Sequence, residues 1–229
     1  MILICANILC LLLSTGIAKE KKKGPPRPAQ PVKIPECAGE PMLDVSILIP
    51  DAIIDMRYAT PRNFLKKTLY NANICLLRKR VAQRLQRVAD NLRDEHQLRL
   101  VLWDCYRPYP VQQRMWKIHP VPGEVANPKY GSHHNRGAAV DLALADKQGA
   151  ILAMPTDFDS FTPAAWRDAS KGLSKQQITN RDTLRKVMEA HGFSGIKKEW
   201  WHYNAPNKRI HPLCDLSIVA TKESARLYQ

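Results

Sequence analysis

Several familiar signatures are missing from this chain. No C-x-x-C pair occurs, and neither H-E-x-x-H nor H-x-x-E-H is present. The first absence excludes a cysteine zinc knuckle, and the second excludes the usual helix-borne zinc-protease motifs. No basic helix with interleaved aromatics occurs, and aromatic residues make up only 7% of the chain. The net charge of +14 is therefore read as a solvated basic surface, with no nucleic-acid partner expected. Attraction to an anionic membrane surface or a cell-wall polymer is the alternative reading. With 45% hydrophobic and 24% charged residues, low-complexity disorder is excluded for most of the 229 residues, which suffice for one domain with a real core.

Charge is also absent from the first eighteen residues. Ile2 to Ile17 is largely apolar, and Gly16-Ile17-Ala18 supplies the small side chains a signal peptidase requires. The run is shorter than the ~20 residues that span a bilayer. Residues 1–18 are expected to be a secretory signal peptide, which implies a periplasmic protein with no stable membrane insertion after cleavage. No Lys or Arg precedes the apolar run, so an uncleaved anchor is the alternative. Residues 19–36 carry Pro25, Pro26, Pro28, Pro31 and Pro35 among lysines and are expected to be an extended linker. The folded domain is placed at 37–229. Cys5 and Cys10 leave with the leader, and Cys37, Cys75, Cys105 and Cys214 remain. In an oxidising compartment they permit one or two disulfides, and sequence does not choose among the pairings.

Within the domain, Ile47 to Tyr58 reads as short strand and turn. Val81, Leu85, Val88, Ala89 and Leu92 recur at three- and four-residue steps, which predicts a helix over 78–97. Leu98 to Trp103 reads as a buried strand, and 109–118 as a helix with Pro110 in its first turn. Residues 119–133 are expected to be a loop, Ala138 to Leu144 a strand, Thr179 to His191 a helix stopped by Gly192, and 198–203 an extended segment. The irregular alternation predicts an α+β fold: a single domain with a mixed or antiparallel sheet flanked by helices.

Strand alternation sends Val140, Leu142 and Leu144 to one face and Ala139, Asp141 and Ala143 to the other. A carboxylate between two small residues on an apolar strand is costly unless paired, and a cation would remove the cost. His134 precedes the strand, and Gly137 lets the intervening turn close tightly, so His134 and Asp141 can converge. Glu199-Trp200-Trp201-His202 adds a second histidine and a spare acid. Two histidines, one aspartate and a free carboxylate meet the needs of a hydrolytic zinc site, with three ligands and a general base. Residues three apart on a strand face opposite sides, so Glu199 and His202 need a bend to meet.

The pattern S-x-H-x-x-G-x-A-x-D at Ser132 to Asp141, followed by E-x-x-H at Glu199 to His202, resembles the D-Ala-D-Ala metallopeptidases, and more narrowly the D-alanyl-D-alanine dipeptidases of the VanX type. Asp55-Met56-Arg57-Tyr58-Ala59-Thr60 with Asn63-Phe64, Asp104-Cys105-Tyr106-Arg107-Pro108, and Met154-Pro155-Thr156-Asp157-Phe158-Asp159 resemble three further family segments. Pro155 departs from the family's usual glycine. The resemblance spans about residues 45–205. It implies one Zn2+ per chain held at the sheet by His134, Asp141 and His202, with Glu199 as general base and Arg107 stabilising the oxyanion. It also implies that Asp159 holds the substrate amine, that Ser132 and Tyr58 contact substrate, and that His133 has no role. The implied partner is a small dipeptide, D-Ala-D-Ala, cleaved to free D-alanine in peptidoglycan metabolism; the oligomeric state is unreadable. The rivals are a D,D-carboxypeptidase or endopeptidase of the same metal fold, a zinc-stabilised envelope binding module, and a polyanion-binding protein.

Overall fold

The computed structural model describes residues 37–218. The expected leader, linker and the residues after 218 lie outside that range. In chain order the elements are β1 (Met42–Asp44), α1 (Val45–Leu48), β2 (Ile53–Ile54), β3 (Leu76–Arg78), α2 (Lys79–His96), β4 (Arg99–Asp104), α3 (Tyr109–Ile118), β5 (Ala139–Ala145), α4 (Lys175–Ala190), β6 (Ser194–Ile196) and β7 (Glu199–Asn204). Five strands form a sheet in the order β2-β4-β5-β7-β6, and β1 pairs separately with β3. Only β2 and β4 run parallel, so the sheet is mixed. This is the α+β arrangement expected from the sequence. Among the described residues no helix is long and apolar enough to cross a membrane.

The apolar stripe of α2 is buried at Val81, Ala82, Leu85, Val88, Ala89 and Leu92. Each fully buried Val or Leu there is worth about 1.5–3 kcal/mol, which anchors the helix over the core. All seven residues of β5 are buried, so the sheet is covered on both faces where Asp141 stands. Two elements differ from expectation. The segment read as strand and turn at 47–58 begins instead within a helical turn, Val45–Leu48, with Asp44 accepting from Ser46 N at its start. Helix α4 starts four residues earlier than expected, because Ser174 and Gln177 form a reciprocal capping box.

Two disulfides tie the fold, Cys37–Cys214 and Cys75–Cys105. They span 177 and 30 residues. In the chain-entropy account these restrict the unfolded chain by about 5 and about 3.5 kcal/mol. Both reach the central region: the Cys214 N–H donates to Asn135 O at 2.9 Å, and Tyr106, beside Cys105, donates from its backbone to Leu76 O at 2.9 Å.

Candidate active site

The register of the sheet builds the site. Asp141 on β5 stands opposite His202 on β7 and Asp104 on β4. A one-residue irregularity between Leu102 and Asp104 places Asp104, and not Trp103, beside Asp141. Asp104, Asp141 and His202 thus form one row across three strands. His134 enters from a 3-10 turn, His134–Arg136, just before β5. That turn ends at Gly137 with φ +64°, where an added Cβ would lie 2.5 Å from the Met42 side chain and 3.3 Å from Arg78 N. Glycine is needed there both for the left-handed backbone and for the close approach.

His134 Nε2 lies 3.2 Å from His202 Nδ1 and 3.4 Å from Asp141 Oδ2, and His202 Nδ1 lies 2.9 Å from Asp141 Oδ1. A tetrahedral ion with ligands at about 2.0–2.1 Å sets them about 3.3 Å apart, so the triangle has the right size. The outer nitrogens are committed. His134 Nδ1 donates to Cys105 O at 2.8 Å, and His202 Nε2 donates to Asn204 Oδ1 at 3.2 Å. Neutral rings so fixed direct two lone pairs at each other beside a carboxylate, an arrangement that demands a cation between them. The donor set therefore fits a metal. It is also the group of His, Asp, Glu or Cys side chains that the described residues gather closely enough to hold one.

In the metal-free protein a proton fills part of that demand. Burial opposes the His202 charge, but the Asp141 carboxylate outweighs it and raises the ring to about 9. Burial likewise opposes the Asp141 charge, and His134 and His202 overcome it, holding Asp141 below its ordinary range. The sign follows. The proton on His202 stabilises the metal-free fold fully below the ring's ordinary value near 6.5, and that contribution fades as pH rises through about 9. Metal must displace this proton. Between pH 6 and 8 the apparent metal affinity is expected to rise up to tenfold per pH unit, with about one proton released per ion. Calorimetry in buffers of different ionisation enthalpy measures both, and pH-independent binding without proton release would refute the displacement.

The remaining residues named from the sequence line the same cavity, of about 420 Å³: Tyr58, Arg107, Ser132, Asp159 and Glu199 surround the triangle. Glu199 Oε2 is 3.8 Å from His202 Nδ1. The bend that this needs is present. Along β6 and β7, Ser194 pairs with Asn204 and Gly195 with Tyr203, but Ile196 pairs with Glu199. Trp200, Trp201 and His202 are taken up in this irregularity, and both tryptophans are fully buried. Burial raises the Glu199 carboxyl above its ordinary value, with His202 opposing.

Arg107 is buried and fixed by Asp104, which accepts from its Nε at 3.0 Å and also from its Nη2, and by Gln112 Oε1, which accepts from Nη1 at 2.8 Å. Two of its five N–H groups remain for a ligand. Its guanidinium lies 4.8 Å from the centre of the Tyr58 ring. Tyr58 donates to Asp159 Oδ2 at 2.9 Å. Asp159 has φ 56°, an uncommon backbone for a residue with a side chain. Its neighbour Phe158 plugs into the rings of Tyr58, Trp103 and Trp201 at 5.4–5.8 Å, and Trp200 Nε1 donates to Thr156 Oγ1 at 2.9 Å. The loop containing Pro155 is further held by Gln177 and Asn180 of α4, which donate to Met154 O and Ala153 O. Burial and the Asp141 charge push the Asp159 carboxyl well up from its ordinary value. An incoming ammonium group would restore its ionisation.

Ser132 Oγ accepts from His134 N at 3.2 Å, so this residue shapes the turn as well as lining the cavity. Asp104 heads the Asp104–Pro108 segment noted in the sequence but was given no role there, yet its Oδ2 also lies 3.2 Å from His134 Nδ1, which joins the arginine to the metal triangle. Asn135 is similar: its amide donates to Arg107 O at 2.8 Å. Both sit beside residues that were singled out, and that adjacency was the signal available. His133, read as having no role, lines the cavity.

Residues 39–218 match the family model described as D-ala-D-ala dipeptidase. The D-alanyl-D-alanine dipeptidase of Escherichia coli (strain K12) is 34% identical over 183 residues, covering 75% of this chain and 88% of the relative. That of Enterococcus faecalis (strain ATCC 700802 / V583) is 33% identical over 175 residues, covering 65% and 83%. That of Streptomyces coelicolor (strain ATCC BAA-471 / A3(2) / M145) is 32% identical over 179 residues, covering 69% and 87%. The chain belongs to the D-Ala-D-Ala dipeptidase family.

Proposed function

We propose that the protein hydrolyses the dipeptide D-Ala-D-Ala to free D-alanine with one Zn2+ held by His134, Asp141 and His202. The observation that carries this reading is the placement of Glu199 3.8 Å from the triangle, within a cavity that also exposes Arg107 and Asp159. Bound there, the ion supplies Lewis-acid chemistry, lowering the pKa of water and polarising a carbonyl. Glu199 takes the proton of the attacking water and returns it to the leaving amine. The two free N–H groups of Arg107 receive the negative charge that develops on the carbonyl oxygen, a contribution of several kcal/mol in a site shielded from water. Asp159, oriented by Tyr58, holds the substrate's free ammonium.

A buried carboxylate awaiting an amine favours a dipeptide over a longer chain, whose amine lies too far away. The two disulfides support secretion to an oxidising compartment, the periplasm, where cell-wall dipeptides arise. The test is release of D-alanine by the purified protein from D-Ala-D-Ala and from a cell-wall pentapeptide. Turnover of the dipeptide alone, abolished by a chelator and restored by zinc, is expected. Preferential trimming of the pentapeptide would replace this reading with a D,D-carboxypeptidase, and chelator-insensitive turnover would remove the metal from the reaction.

A further inference from the structure

Residues 105–108, between β4 and α3, belong to no helix or strand, so no regular ladder fixes them. The site nevertheless depends on them. Cys105 O accepts from His134 Nδ1 at 2.8 Å, Arg107 N donates to His134 O at 3.1 Å, and Arg107 lines the cavity. A shift of this backbone would move the arginine and turn the ring of a metal ligand together. Displacements of about 1 Å at such positions can cost on the order of 10²-fold in rate. One covalent cross-link enters the span: Cys105 is bridged to Cys75, and both residues are fully buried. Cys75 is itself held, since its carbonyl accepts from Val45 N at 2.9 Å. From Cys75 the chain runs along β3, where Leu76 O accepts from Tyr106 N at 2.9 Å, to Arg78, whose N–H donates to Gly137 O at 3.0 Å. Gly137 ends the turn that carries His134, and the His134 ring returns to Cys105 O. The disulfide closes this circuit at the residue that touches the metal ligand, two residues before the arginine.

We propose that the Cys75–Cys105 disulfide is a positioning element of the active site, which sets Arg107 for the oxyanion and the His134 ring for the metal. The part concerning Arg107 rests on the proposed reaction; the part concerning His134 does not depend on turnover. A bridge that only stapled the fold would act through the unfolded chain, with an effect that grows with the loop it closes. By that measure Cys37–Cys214, which spans 177 residues against 30, is the stronger staple. Neither of its halves lies within residues 104–107. Stapling and positioning therefore predict opposite orders for the two bridges.

The test compares Cys75→Ala/Cys105→Ala, Cys37→Ala/Cys214→Ala and the wild-type protein, each at a temperature where circular dichroism shows it folded. Zinc affinity is measured by competition with a chelator, and kcat and KM are measured on D-Ala-D-Ala. Loss of Cys75–Cys105 is expected to weaken zinc binding about tenfold and to lower kcat about 10- to 100-fold with KM little changed, because the oxyanion is met only in the transition state. Loss of Cys37–Cys214 is expected to lower Tm further and to disturb zinc affinity and kcat less. Cys75→Ser removes the bond while keeping nearly the same side-chain volume, so it is expected to show the same zinc and kcat losses, and it decides the matter where the double-alanine chain does not fold. Wild-type zinc affinity and kcat in a folded protein without the bridge, or equal losses in the two pairs, overturn the assignment. A bridge without which neither variant folds is a staple, and that outcome overturns it as well. A wild-type protein that releases no D-alanine overturns the dipeptidase reading, while the zinc affinities of the same variants still decide the assignment for His134.

Discussion

Glu199→Gln is expected to leave zinc content stoichiometric while kcat on D-Ala-D-Ala falls by about 10²–10⁴-fold, the range for removing a positioned acid–base group. The metal should remain because Glu199 is not part of the His134–Asp141–His202 triangle. The side chain keeps its shape, so packing around Trp200 and Trp201 should survive. The pH profile gives a second reading. Burial lifts the Glu199 carboxyl above the usual carboxylate range. Only the ionised form can accept a proton, so activity should fall as pH drops through that raised value, and the acid limb due to Glu199 should be missing from the residual activity of the variant. A metal-loaded Glu199→Gln protein with near-normal turnover would exclude this residue as the base.

Asp104→Ala is expected to have the largest effect on the fold and the site together. The Asp104 carboxylate accepts from Arg107 Nε and Nη2 and lies 3.2 Å from His134 Nδ1. Removing it strands a buried guanidinium without its anion. Breaking a buried ion pair this way costs about 3–5 kcal/mol. For a domain of this size that corresponds to a fall of roughly 6–20 °C in Tm. The catalytic loss should be separable. In Asp104→Asn the amide oxygen can still accept from Arg107, which should recover part of the Tm. The anionic partner is gone, however, so Arg107 is less firmly aimed and kcat/KM should stay at least tenfold down. Thermal melts and kinetics on the two variants decide the matter: a wild-type Tm and normal kinetics in Asp104→Ala would show that Arg107 is held by Gln112 alone.

These two residues also mark what could be read from the sequence. The strand around Asp141 was legible because an acid between Ala139 and Ala143 breaks an apolar run, and α2 was legible from its 3–4 spacing. The first turn of α4 was not, since Lys175, Gln176 and Gln177 carry no apolar period and the start is marked only by a capping box. The meeting of Glu199 with His202 needed a bend that the sequence could require but not locate. Asp104 stayed hidden because ordinary alternation along Leu100 to Asp104 puts Trp103 beside Asp141, and one extra residue reverses this. The disulfide pairing depends on which loops meet in space, for which wide cysteine spacing gives no guide. The family resemblance gathered the residues of the site.

The row formed by Asp104, Asp141 and His202 across β4, β5 and β7 has one more consequence. Successive side chains on a strand face opposite ways, so a slip of one residue in either pairing would turn a member of the row away from the others. Two strands can slide past one another while keeping many backbone hydrogen bonds and much of their apolar contact, and ordinary spectroscopic probes of β-structure scarcely notice. Ion capture does notice. During refolding, uptake of a metal ion is expected to count the molecules whose β5 and β7 have locked into the native alignment beside the His134 turn, which would make the ion an internal gauge of that pairing.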